Sequence, residues 1–283
     1  MTTADAMPTS AIRSQWDAAA AGWHRHAAII RDWLCQPTLL MLDMAGVGPG
    51  QSVLDVAAGA GDQTLDVATR VGAAGRVTAT DISPHILAFA ASAATAAGHR
   101  NVETRVADAA ALPLPDASFD AAICRLGLMF LPDPLAGLTQ IHRTLKSGAR
   151  FAAMVFAGPD LNPCLRILMS TALRHAGQPP RDPFQPGGLT SLGRPGHLDA
   201  LFREAGFSAV TSTTLQAPFR LPQSSDYLGF IRDAAGPILQ ILSPLAPAAR
   251  DAAWADITSQ LAAFQTDQGW AGPNTLLLTV GTR

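Results

Sequence analysis

The sequence predicts an α/β protein, with a seven-stranded, mostly parallel sheet and helices on both faces. Three observations predict it. From Ser52 onward, short β-branched runs alternate with Ala-rich helical stretches. A turn of small residues joins the first such run to a helix. Acidic residues then stand at the ends of the next two runs. The 283 residues suit one large α/β domain, since single cores stop growing near ~250–300 residues. Apolar residues make up 48% and charged residues 15%, a balance that fills a sizeable core and argues against disorder.

The elements follow in order. Residues 11–45 read as helix: Ala-rich, with Trp16, Trp23 and Trp33 near one side, pausing at Pro37 and broken by Gly46, Gly48 and Gly50. Strands are expected at 52–57, 76–80, 102–107, 121–124 and 150–156, with helices between them at 64–71, 84–97 and 134–145. Pro84 suits a first helical turn and Ser83 its N-cap. Lys146-Ser147-Gly148 reads as a helix exit with Gly near the C-cap. After Phe156 the rhythm breaks. Residues 159–195 are rich in Pro and Gly, with a helix expected at 163–176. A helix at 196–205, a strand at 207–215, a mostly helical insert at 222–264 and a strand at 275–282 complete the chain. The expected organisation is an N-terminal helical lid over 1–45, then one domain over 46–283 with cap inserts near 159–195 and 222–264.

Charge and cysteine content narrow the function. A formal net charge of −2 leaves no basic surplus to neutralise phosphates, so nucleic acid is a poor partner. Cys35, Cys124 and Cys164 are odd in number and lack CxxC spacing, against a disulfide framework or a structural zinc site. Residues 1–10 are polar and lack the apolar core of a secretory signal. No run reaches the ~18 apolar residues of a membrane span. The reading is a cytoplasmic protein. Its low charge fraction suggests apolar surface hidden in a cavity or in a homodimer interface.

The strongest local feature is Val53-Leu54-Asp55-Val56-Ala57-Ala58-Gly59-Ala60-Gly61-Asp62-Gln63-Thr64. Gly59 and Gly61 have no Cβ, so a ligand can lie against their backbone, and the N–H groups of the new helix point into the same space. In an open α/β sheet, ligands bind outside the strand carboxyl ends. A tight connection alone would also explain the glycines. Asp81, ending the next run, can accept hydrogen bonds from the ribose hydroxyls of an adenosine ligand. Asp108, ending the third, can accept from an adenine amino group. Two successive acids on the glycine edge arise less often by chance than one.

These segments carry a resemblance. The chain resembles the class I S-adenosylmethionine (SAM)-dependent methyltransferases, with their Rossmann-like fold, and more narrowly the ubiquinone/menaquinone-biosynthesis C-methyltransferase family. Leu54 to Gly61 is matched first, then Ala79-Thr80-Asp81-Ile82-Ser83 and Ala107-Asp108-Ala109. Leu112-Pro113-Leu114-Pro115-Asp116-Ala117-Ser118-Phe119-Asp120, Cys124-Arg125-Leu126-Gly127-Leu128-Met129-Phe130 and Leu145-Lys146-Ser147-Gly148-Ala149-Arg150 follow in the family's order. The resemblance implies that Asp55, Ala57, Gly59 and Gly61 wall the methionine and sulfonium. It implies that Asp81 and Ile82 hold ribose and adenine, that Asp108 and Ala109 hold adenine, and that Cys124 and Arg125 lie beside the transferable methyl. Ala57-Ala58 stands where a Gly-containing pair is usual, and Trp23 where an aromatic, often Tyr, covers the ligand. The region after Pro159 matches the family poorly.

Methyl transfer from a sulfonium is an in-line displacement from an activated donor, so the protein mainly aligns partners and excludes water. Alignment can supply ~7–11 kcal/mol. No Ser-His-Asp or metal constellation is found, and none is required. A base is needed only where the acceptor must lose a proton. The candidates are His24 and His26 in the expected lid, His175 in the first insert, then His85, His142 and His197. Arg125 ends a strand and needs a partner, with Asp133 or Asp120 the expected ones. The three tryptophans read either as helix core or as a lid over cofactor and acceptor. Met169, Phe184, Phe219, Tyr227, Phe230 and Ile231 read as an apolar cap or as a dimer interface. The functional expectation is methyl transfer to carbon or oxygen of a small lipophilic acceptor, quinone-, phenol-, polyketide- or terpenoid-like. A non-catalytic SAM-binding protein is the alternative. A nicotinamide-dependent oxidoreductase is less favoured, because the single tyrosine, Tyr227, has no lysine near it.

Overall fold

The computed structural model describes residues 9–283. Residues 1–8 of the expected lid, and with them most of the stretch read as lacking a secretory signal, lie outside the described residues. The chain opens with α1 (Thr9–Arg25) and α2 (Ala27–Ala45), then β1 (Ser52–Val56), α3 (Asp62–Val71), β2 (Arg76–Asp81), α4 (Pro84–Ala96), β3 (Val102–Val106), β4 (Phe119–Arg125), α5 (Pro134–Thr144) and β5 (Leu145–Phe156). Next come α6 (Pro163–His175), α7 (His197–Glu204), β6 (Ser208–Gln216), β7 (Phe219–Leu221), α8 (Ser224–Ala234), α9 (Gly236–Leu242) and α10 (Pro247–Leu261). The chain ends with β8 (Gln265–Thr266), β9 (Gly269–Gly272) and β10 (Thr275–Thr282).

The main sheet has seven strands in the order β3-β2-β1-β4-β5-β10-β6. β1 to β5 pair in parallel, while β10 runs antiparallel to both β5 and β6. Leu54, Val56, Ala122, Ile123, Phe151 and Met154 are buried in the inner strands. Strands covered on both faces need such continuous apolar runs rather than alternation. α2, α3 and α4 pack side by side as one helical layer, and α5 with α7 belongs to the other. The strand order reverses between β1 and β4. That switch point opens a crevice at the carboxyl edge, where the β1–α3, β2–α4 and β4–α5 connections all emerge.

Three expectations need correction. The N-terminal helix breaks at His26, between α1 and α2, and runs through Pro37, which is buried inside α2. α2 is a sheet-packing helix that buries Ile30, Trp33, Leu34, Met41 and Leu42 on either side of the proline. At ~1.5–3 kcal/mol for each such side chain, their sum outweighs the ~3 kcal/mol penalty of an interior proline. Lys146-Ser147-Gly148 is no helix exit. β5 begins at Leu145, and Gly148 (φ +79°) sits within the strand, donating its N–H to Arg283 O at 2.9 Å. The segments on either side of the second insert form a small sheet, β7-β9-β8, that the sequence reading lacks.

Candidate active site

A cavity of about 400 Å³ lies at the carboxyl edge of the main sheet, within the range of small-molecule sites. Ala57, Gly59, Asp81, Ile82, Asp108, Ala109 and Arg125 line it, and Trp23 and His24 reach it from α1. The β1–α3 turn gives the cavity its floor. Gly61 (φ +90°) must be glycine, because a Cβ there would stand 2.8 Å from Ala90 Cα and Cβ. Gly59 (φ +58°) faces open space, with only Ile86 Cδ1 at 3.9 Å from such a Cβ. A ligand can therefore lie against the Gly59 backbone. Ala57 (φ 55°) and Leu126 (φ 57°) are non-glycine residues in the left-handed region, both on the cavity wall. Such strain of order 1–3 kcal/mol concentrates at binding sites. The Ala57 methyl is matched by Gly127, where a Cβ would come within 2.3 Å of it.

The acids divide into a wall pair and a buried support. Asp81 accepts the N–H of Gly59 and of Ser83, each at 3.0 Å. Burial pushes its pKa above the ordinary value, opposed by the N–H groups of Ser83, Gly59 and Ile82. Each oxygen keeps a lone pair for a ligand hydroxyl. Asp108 accepts the Ala110 N–H at 2.9 Å and faces the same cavity. Asp55 is fully buried and does not line the cavity. It accepts from Thr64 Oγ1 at 2.6 Å and Gln63 Nε2 at 3.2 Å, which anchor the start of α3. Burial drives its pKa up to about 6 despite those bonds. Cys124 is also fully buried, and burial, then the nearby Asp55 charge, raises its thiol pKa to about 12. It stays a neutral thiol packed against Gly127.

Arg125 pairs with neither Asp133 nor Asp120. Its guanidinium donates to Asp62 Oδ2 at 2.7 Å and to Thr38 Oγ1 at 2.8 Å. Asp62 also holds Arg31 of α2 at 3.0 Å, so one carboxylate ties α2, α3 and the end of β4 together beside the cavity. Asp133 instead caps α5 through the Ala136 N–H, and Asp120 holds Lys146 at 2.6 Å. Asp62, Gln63 and Arg31 went unread in the sequence. Asp62 did carry a signal, as an acid in the first turn after a glycine loop.

The histidines scatter. His24 stacks on Phe89 with centroids 4.3 Å apart at the cavity rim. His26 sits 2.9 Å from Asp233, and His175 2.9 Å from Asp256, both outside the cavity lining. His85 lies 3.5 Å from Asp17, His142 packs edge-on to Phe207, and His197 is exposed. α1 is held at its middle by Asp17, which accepts from Ser83 Oγ, and at its C-terminal end by Arg25 and the following His26, both on Asp233. Ser83 caps α4 as expected, accepting the Ile86 N–H.

A second, smaller cavity of about 70 Å³ adjoins the first and shares Trp16, Trp23, Leu126 and Phe130 with it. Trp33, Phe219, Tyr227, Phe230 and Ile231 complete its aromatic and aliphatic wall. Met169 and Phe184 line neither cavity.

The strand order and the antiparallel β10 give the chain the Rossmann-like α/β fold that SAM-dependent methyltransferases share. More particularly, residues 34–169 match the model of the ubiE/COQ5 methyltransferase family. The ubiquinone/menaquinone biosynthesis C-methyltransferase UbiE of Enterobacter sp. (strain 638) is 37% identical over 123 residues, covering 43% of this chain and 49% of that protein. The chain thus spans about half the length of the curated relatives it matches. Among solved structures, the YcgJ protein of Bacillus subtilis superposes with a TM-score of 0.57 at 20% identity, covering 87% of this chain and 97% of that one. Phosphoethanolamine N-methyltransferase 2 of Haemonchus contortus, solved with S-adenosyl-L-methionine, gives 0.57 at 15% identity, covering 92% and 57%. At these identities the likeness establishes the fold.

Proposed function

We propose that this protein binds SAM in the larger cavity and transfers its methyl group to carbon or oxygen of a small lipophilic acceptor that enters beside it, against the aromatic wall the two cavities share. The observation that carries the reading is the convergence of Gly59, Asp81 and Asp108 on one cavity at the switch point of the sheet. The residues suit the cofactor. Open backbone at Gly59 admits a chain against the turn, Asp81 accepts from ribose hydroxyls, and Asp108 with Ala109 meets the adenine edge. When bound, SAM supplies an activated methyl. The chain supplies alignment and dryness: α1, tied to Ser83 and Asp233, covers the cavity, and Trp16 and Trp23 stand between its two chambers.

The acceptor reading rests on chemistry of the wall. Apart from Tyr227, the second cavity is lined by aliphatic and aromatic hydrocarbon, indole, the Met129 thioether and backbone, with no carboxylate or cation. Such a surface favours a neutral, apolar ring or chain. A quinone- or phenol-like acceptor fits, in keeping with the UbiE relatives. The test is formation of S-adenosylhomocysteine (SAH) from SAM with a panel of lipophilic phenols and quinols against hydrophilic amines and acids. Turnover restricted to the lipophilic members is expected. Turnover with the hydrophilic set alone would overturn the acceptor class, and none with either would favour a non-catalytic SAM-binding protein.

A further inference from the structure

We infer that Arg31 holds the carboxylate of the cofactor's amino-acid end, with the Asp62 carboxylate beside it for the ammonium group. This rests on the SAM reading above and names the residue that tells the whole cofactor from its nucleoside part. Arg31 lies in α2, before the segment matched by the family model.

Groups along the carboxyl edge of the sheet follow the strand order β3-β2-β1-β4. Asp108 follows β3, Asp81 ends β2, the Gly59 turn follows β1 and Arg125 ends β4. Neighbouring strands lie about 4.8 Å apart, so the row spans about 14 Å. SAM carries its groups in the same sequence: adenine, ribose, sulfonium, then an α-amino acid. With adenine at Asp108 and ribose at Asp81, the zwitterionic end falls past the glycine turn, towards β4.

Arg31 and Asp62 line the cavity at that end, with Arg31 Nη2 3.0 Å from Asp62 Oδ1. A cation and an anion side by side match the two charges of an α-amino acid. The basic residues on the lining differ in what they can still bind. The Arg125 side chain is 5% exposed and commits one Nη to Thr38 and the other to Asp62. The Arg31 side chain is 46% exposed and meets Asp62 and, at 3.5 Å, Asp66. A guanidinium has five N–H donors, so Arg31 keeps donors for a ligand. His24, the third basic residue on the lining, stacks on Phe89 of α4, the helix that follows β2. It stands towards the nucleoside end. Arg125 fixes Asp62, and Asp62 in turn orients the Arg31 fork before a ligand arrives. Such a fork suits a carboxylate, which it can grip through two N–H groups at once.

Calorimetry on wild type, Arg31→Gln and Arg31→Lys tests the anchor with three ligands: SAH, its methyl ester and 5′-methylthioadenosine. The ester keeps the ammonium and lacks the carboxylate charge. 5′-Methylthioadenosine lacks the amino-acid group altogether. Wild type is expected to bind SAH about 5- to 20-fold tighter than the ester. Arg31→Gln is expected to bind those two alike, and to bind 5′-methylthioadenosine as wild type does. Arg31→Lys, with the charge kept and the fork lost, is expected to fall between. Should Arg31→Gln not fold, Arg31→Met, which keeps the apolar stem, takes its place. Equal binding of SAH and ester by wild type overturns the anchor, as does a preference left intact in Arg31→Gln. Equal weakening of SAH and 5′-methylthioadenosine by Arg31→Gln overturns it too, since the residue would then act only by holding Asp62. Wild type that binds neither SAH nor 5′-methylthioadenosine overturns the SAM reading itself. Binding of both without discrimination against the ester keeps that reading and removes the anchor alone.

Discussion

Asp81 and Asp55 are both acids that follow the fold's logic, but they do different work. Asp81 stands on the cavity wall with free lone pairs, and Asp55 lies beneath it with its donors already supplied. Asp81→Ala should weaken SAM binding about 10- to 100-fold, while its stability in urea falls only by the loss of the bonds from the Gly59 and Ser83 N–H groups, about 1–2 kcal/mol. Unchanged affinity in calorimetry would remove Asp81 from the ribose. Asp55 predicts a pH effect. Its folded pKa of about 6 exceeds the ordinary 3.8, so the folded state holds a proton that the unfolded chain has lost. Its contribution therefore favours folding at low pH and is lost as pH rises from about 4 through 6, by up to about 3 kcal/mol. The stability of wild type relative to Asp55→Asn, from denaturation at pH 4 and pH 7, should fall over that range. A pH-independent difference would contradict it. Asp62→Ala should cost about 3–5 kcal/mol, since it leaves the buried Arg125 guanidinium without its carboxylate; a loss under 1 kcal/mol in the same assay would mean that Arg125 finds another partner.

The glycine turn separates backbone need from ligand space. Gly61→Ala drives a methyl into Ala90 and should destabilise the protein by about 2–4 kcal/mol. Gly59→Ala meets only open cavity and should cost about 1 kcal/mol while blocking SAM. Thermal melts and SAH titrations of the pair would show it, and equal effects on both readouts would contradict it. This turn was legible in the sequence because a strand, a small-residue turn and a helix leave a local signature. β10 was legible too, at its full span. Pro37 misled because its rule is local, whereas the apolar stripe of α2 is satisfied by the sheet beneath it. Gly148 misled because a positive φ serves a strand irregularity as well as a helix cap. β7, β8 and β9 are two to four residues long, and Gly269 and Gly272 interrupt any alternation around Trp270. The Asp62–Arg125 pair spans 63 positions, and no local pattern reports such a contact. Trp16, Trp23 and Trp33 were readable as a set, but only the fold shows that they serve core and cavity together.

Taken together, one edge of a seven-stranded sheet carries the larger chamber, with Gly59, Asp81 and Asp108 on its wall, and helices outside the sheet carry a smaller, apolar chamber beside it. The family match covers residues 34–169, which hold the glycine turn and the acids. The second chamber is built largely by α1, α6, α8 and α9, with Trp33, Phe219 and the β4–α5 connection. On the proposed reading, cofactor chemistry and acceptor choice fall to different parts of the chain. No helix among the described residues is long and apolar enough to cross a membrane. The reading stands or falls on what the larger chamber binds. Calorimetric titration of the purified protein with SAM, SAH and NAD decides it. Saturable binding of SAM and SAH, with no heat from NAD, is the result the geometry of Gly59, Asp81 and Asp108 predicts. Binding of NAD alone, or of none of the three by demonstrably folded protein, would contradict it.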